Sequence, residues 1–102
     1  MRTARILVNG VEAGILQMSS NKQYLFTYHP YYQGAPVSLT MPLNQASYSF
    51  DVFPPFFEGL LPEGMMLEAL LRKYKIDKHD YFSQLLIVGQ DVVGAVTIEA
   101  IE

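Results

Sequence analysis

Apolar and polar positions alternate along the first half of the chain and change to a helical period in the second. Ile6, Leu7 and Val8 run into Asn9-Gly10, a dipeptide suited to the positive backbone angles of a tight hairpin turn, and Ile15 and Leu16 fall on the return strand. From Gln23 to Tyr28 a two-residue period puts Tyr24, Phe26 and Tyr28 on one face and Leu25 and Thr27 on the other, and Pro30 ends this third strand. Val37, Leu39 and Met41 alternate with Ser38 and Thr40 between Pro36 and Pro42, which predicts a further half-buried strand. Between Gln45 and Phe57 the alternation gives way to Tyr48, Phe50, Phe53, Pro54, Pro55, Phe56 and Phe57. This stretch is too apolar for disorder, and the proline pair bars a central strand or a helix interior. An ordered, extended loop packed along the core is expected.

The first helix is expected just after that loop, with Pro62 in its first turn and Glu63 at the positive end of its dipole. Leu67, Glu68, Ala69, Leu70 and Leu71 follow as good helix formers. A second helix is read from Asp80 as N-cap through Tyr81, Phe82, Leu85 and Leu86 to Gly89 as its stop. The closing strand draws on the β-branched Val92 and Val93 and on Val96, Ile98 and Ala100 alternating with Thr97 and Glu99. Together these predict an α+β fold, a small antiparallel β-sheet with two α-helices packed on it, forming a single domain over residues 1–102.

Length and composition narrow the function. The 102 residues, half of them hydrophobic and 17% charged, provide one modest core and leave no room for a two-lobed enzyme. With no cysteine there is no disulfide framework, thiolate zinc site or thiol nucleophile. No apolar run approaches the roughly 18 residues of a membrane span, and the N-terminus lacks the apolar core of a signal peptide. A cytoplasmic protein without a membrane partner is therefore expected. Seven Lys and Arg against ten Asp and Glu give a net charge of −3. Direct nucleic-acid binding by this chain alone is not expected, because it depends on clustered cations; a protein partner fits better.

Few residues are arranged for chemistry. His29 and His79 lie in polar, turn-like contexts with no metal-ligand spacing to another donor, and both are read as solvent-exposed turn histidines. Glu58 and Glu63 could act as an acid and base only by converging on a bond in a cleft, and caps and surface charge account for them more simply. The seven glycines fall at turns and never form a phosphate-cradling run before a helix. No catalytic residue, metal ligand or cofactor is assigned, and the chain is not expected to be an enzyme. Arg72, Lys73, Lys75 and Lys78 hold four of the seven cations at the end of the first helix. Their position suits the helix dipole, with an acidic partner surface or a supporting DNA contact in a larger assembly as the alternative.

Drawn at about 100° per residue, the first helix puts Met66, Leu67, Leu70, Leu71 and Tyr74 on one broad face. Met65 lands nearly opposite, on the side of Glu68 and Arg72, and is expected to be exposed. A flexible, polarizable side chain at a helix start beside an aromatic loop is of the kind that fills a partner's pocket.

Four stretches also resemble a known family: Val8-Asn9-Gly10, Ser38 to Leu43, Pro55 to Gly64, and Gly89 to Ala95. They are similar, collinearly and over almost the whole chain, to the N-terminal subdomain of HipA-like serine/threonine kinase toxins. The runs from Phe56 to Gly64 and from Gly89 to Val96 are the most specific, and Gly59 stands where the family often has Asn. The resemblance implies that the catalytic body, with its phosphate loop and catalytic and metal-binding aspartates, lies outside this sequence. It points to a split, three-component arrangement, in which the subdomain is a separate antitoxin beside a shortened HipT-like kinase and a HipB-like helix-turn-helix protein. The implied role is to bind and inhibit the HipA-like kinase by docking on its N-lobe near the nucleotide cleft, through Phe56, Phe57, Glu63, Gly64, Met65 and Glu68. The alternative is a non-inhibitory structural subunit that completes the split kinase and supports its ternary complex with the HipB-like partner.

Overall fold

The computed structural model describes residues 2–90 and 94–101. The elements run β1 (Arg2–Val8), β2 (Val11–Met18), β3 (Tyr24–Tyr28), β4 (Ser47–Phe50), α1 (Pro55–Glu58), α2 (Gly64–Tyr74), α3 (Tyr81–Val88) and β5 (Val96–Ala100). The strands form one sheet in the order β4-β3-β2-β1-β5, with every neighbouring pair antiparallel. The α+β expectation holds, with three helices among the described residues in place of two.

Asn9 and Gly10 both take positive φ, at 51° and 81°, and so close the β1–β2 hairpin with the twist that antiparallel strands favour. The register fixes which side chains face inward. Tyr48, Phe26, Leu16 and Ala4 are successive cross-strand partners, and Ile98, Ile6 and Gly14 make the adjacent row. Phe57 of α1 and Phe82 and Leu85 of α3 join this face in the core. A bulge sits between Ile6 and Leu7, whose partners are Gly14 and Glu12. Gly14 next to it has no room for a side chain, since a Cβ there would lie 2.3 Å from the Thr27 carbonyl oxygen and 3.0 Å from the Phe26 ring. The obstacle is backbone and cannot rotate away. Gly14→Ala is expected to destabilise the domain by about 1–3 kcal/mol, read as a lower urea midpoint at unchanged m-value.

Three expectations are corrected. Residues 37–41 do not form a strand; they make a turn closed by the Met41 amide donating to the Ser38 carbonyl at 3.0 Å. Val37 and Met41 are buried while Leu39 is 94% exposed. The reason is the buried Tyr28 hydroxyl, which accepts from the Val37 amide at 2.9 Å and donates to the Met41 carbonyl at 2.5 Å, gathering both ends of the turn onto one atom. The strand beside β3 is instead Ser47–Phe50, inside the stretch expected to be an extended loop. In the same stretch, Pro55 opens the short helix α1 at a first-turn position, where a missing amide proton costs nothing. The first long helix starts at Gly64, so Pro62 lies ahead of it.

The second long helix follows expectation. The Asp80 carboxylate accepts from the Ser83 amide at 3.1 Å and the Ser83 hydroxyl at 2.7 Å, and it pairs with Arg2 at 3.1 Å. Burial alone raises the Asp80 pKa, but the Ser83 hydrogen bonds and the Arg2 charge outweigh it and hold the carboxyl below its ordinary value. A lowered folded-state pKa contributes stability that is complete above the unfolded value, about 3.9, and is lost as pH falls through the folded one. With Arg2 and Asp80 side chains 37% and 39% exposed, the ion pair adds little, and the cap supplies about 1 kcal/mol. Asp80→Asn keeps a capping oxygen and removes the charge. It is expected to leave neutral-pH stability nearly unchanged while flattening the acid limb of a stability-versus-pH curve below about pH 4.

Of the closing segment, Val96 to Ala100 forms β5 as expected, while Val92 and Val93 lie outside the described residues.

Candidate functional site

The site is built around α2 and the segment leading into it. After α1 the chain continues in tight turns, with the Leu60 amide donating to Phe57 and the Leu61 amide to Glu58, both at 3.1 Å. Glu63 is extended, and Gly64 at φ 59° makes the sharp entry into α2, a backbone angle that favours glycine. At the far end Lys75 takes the left-handed conformation at φ 56°, and the amides of Lys75 and Ile76 both donate to the Leu71 carbonyl.

The eleven residues of α2 include no buried side chain. Its amphipathic face is real, yet Leu67, Leu70 and Leu71 are only half-buried and Met66 is 75% exposed. The helix therefore does not pack on the sheet as expected; α1 and α3 supply the buried helical residues. One side of α2 forms the wall of a groove of about 640 Å³, through Met66, Ala69, Leu70, Lys73 and Tyr74. Ile87 and Val88 from the end of α3 form the other wall, with Gly59, Leu60 and Pro62 completing the lining.

Glu63, Gly64, Met65 and Glu68 are all exposed along the first turns of α2, with Met65 at 85%. Phe56 is half-buried and opens elsewhere, onto a cavity of about 230 Å³ shared with Met41, Tyr48, Phe50 and Pro55. Phe57 corrects the sequence reading. Its ring is fully buried, edge-on to Phe56 at 5.2 Å and 6.3 Å from Phe26, so it belongs to the core and presents nothing to a partner. The groove residues Met66, Leu70 and Tyr74 were visible as an apolar stripe, but the stripe carries no sign of whether another element covers it.

The histidines divide. His79 is exposed in the turn before α3, whereas His29 is 20% exposed, stacked on Tyr31 and paired with Glu12. Glu12 also meets Arg5 at 2.5 Å, and Arg5 meets Glu99 at 3.2 Å, so His29 stands at the end of a row of polar side-chain contacts and is not a solvated turn residue. Glu58 and Glu63 are exposed. Among the described residues no three His, Cys, Asp or Glu side chains are grouped to hold a metal ion, and no helix is long and apolar enough to cross a membrane.

Comparison with known proteins bears on the whole chain. An uncharacterized protein of Haemophilus influenzae is 33% identical over 99 residues, 97% of this chain and 92% of its own length. A solved structure described as the N-terminal domain of HipA toxin superposes with a TM-score of 0.79 at 31% identity, covering all of this chain and 94% of that one. A second, of the Shewanella oneidensis MR-1 toxin–antitoxin system with HipA, HipB and operator DNA, superposes at a TM-score of 0.76 and 21% identity. It shares the fold, and the match covers 94% of this chain but 23% of that one. The family described as HipA N-terminal domain matches residues 4–99. From β1 to β5, the chain belongs to the HipA N-terminal domain family.

Proposed function

We propose that this domain acts in the cytoplasm as an antitoxin of the HipS type, binding and inhibiting a HipA-like, HipT-like serine/threonine kinase without chemistry of its own. The observation that carries the reading is α2: an amphipathic helix with no buried side chain, which starts at a left-handed Gly64 and exposes Met65 and Met66 in its first turn. In a 102-residue domain with an otherwise well-formed core, such a helix is a surface left for a partner to complete. Family membership makes a HipA-like kinase the natural partner.

In this mechanism the domain docks on the kinase N-lobe, and the helix start at Glu63, Gly64 and Met65 reaches toward the nucleotide cleft. Phosphoryl transfer depends on positioning and electrostatic stabilisation, so an apolar side chain wedged beside the phosphate loop disables it by preventing closure. The test is a purified autophosphorylation assay of a HipA-like kinase that lacks this domain. Added in excess, the chain is expected to lower the rate. The second reading, a structural subunit that supports a HipB-like partner, is favoured by the fold shared with the HipA–HipB–DNA structure. It requires the rate to stay level or rise.

A further inference from the structure

The groove beside α2 is distinct from the side of the helix that carries Met65. Met65, Glu68 and Arg72 do not line it, whereas Met66, Leu70 and Tyr74 recur at helical spacing along one wall and Ile87 and Val88 of α3 stand opposite. From Met66 to Tyr74 the wall runs about 12 Å, two helical turns, the length over which a docked helix sets anchors at i, i+4 and i+7. Among the described residues of the lining Lys73 is the one that carries a charge, with the ammonium 5.3 Å from the Tyr74 ring, and Lys75 and Lys78 follow it in sequence. The helix dipole accounts for cations at this end, but not for an apolar wall left open beside them.

We propose that this groove receives an amphipathic helix of the kinase partner, with apolar anchors along Met66, Leu70 and Tyr74 and a carboxylate that meets Lys73. An apolar occupant fits the walls, and an acidic one fits Lys73. This inference rests on the docking function proposed above and adds a second contact to it. The partner would grip α2 from two sides, with Met65 directed at the cleft and the opposite face closed by the partner's helix.

Met66→Glu and Lys73→Glu change exposed side chains and are expected to keep the fold, with the melting temperature lowered by no more than a few degrees where Lys73→Glu gives up its favourable charge at the helix C-terminus. Binding of each variant to the purified HipA-like kinase lacking this domain is measured by calorimetric titration. Each is expected to weaken binding at least tenfold, while Lys73→Arg binds like the parent. Zero-length carbodiimide coupling of the parent complex is expected to join Lys73 to an Asp or Glu within a helical segment of the kinase. If the parent binds and both glutamate variants bind equally well, the groove inference is wrong and the docking function stands. A parent that does not bind overturns both. If the chain alone is dimeric and Met66→Glu makes it monomeric, the occupant is a second copy and the partner helix is overturned.

Discussion

Phe57→Ala is expected to remove about 3–5 kcal/mol of folding stability, because it empties a fully buried aromatic site between the sheet and α1. A domain of this size commonly has only about 5–15 kcal/mol in total, so the variant should sit near the edge of folding. The melting temperature should fall on the order of 15–30 °C. Phe56→Ala removes a neighbouring ring of the same size from a half-buried position and should cost far less. Thermal melts of the pair, followed by far-UV circular dichroism, separate the two positions. Equal melting temperatures would show that Phe57 is not the core residue and that a partner surface at that ring must be reconsidered.

The second large effect is expected at Met65 and concerns the partner. Burying one methionine in a pocket is worth roughly 1.5–3 kcal/mol, or about tenfold to a hundredfold in affinity. Met65→Ala should therefore weaken kinase binding and inhibition by that factor. Met65→Asp should weaken them further, because it forces an unpaired carboxylate into the same apolar space. Since Met65 is 85% exposed, neither substitution should change the melting temperature. The readout is the concentration of domain that halves kinase autophosphorylation. A parent-like value for both variants, with an intact fold, removes Met65 from the mechanism.

The positions of these two residues explain what could be read in advance and what could not. Met65 was legible because a helix repeats locally: once α2 is drawn, its side opposite the leucines follows from about 100° per residue. Phe57 was not legible. In a run containing Phe53, Phe56 and Phe57, hydrophobicity is high everywhere, and Phe57 rather than Phe56 is turned inward by the helix that Pro55 opens and by its packing near Phe26. Residues 37–41 failed in a related way. Their alternation is that of a strand, but the buried Tyr28 hydroxyl binds the backbone at both ends of the run, and the turn that this requires leaves Leu39 outside. His29 was misread because Glu12, the residue that pairs with it, is seventeen positions earlier and arrives beside it only through the β2–β3 register.

The elements whose causes lie within a few residues were determined by the sequence itself. The Asn9-Gly10 hairpin follows from two positive backbone angles, the inward Tyr24, Phe26 and Tyr28 from the two-residue period, and α3 from the Asp80 cap. Membership in the HipA N-terminal domain family was also legible, because its motifs are collinear with the chain. The tertiary structure alone decided which apolar surfaces are used up. The leucine face of α2 has the same pattern as a core-facing helix, and it stays half-open because no described element lies against it closely enough to bury any of its side chains. Periodicity reports which way a side chain points; burial depends on what the rest of the fold brings opposite it.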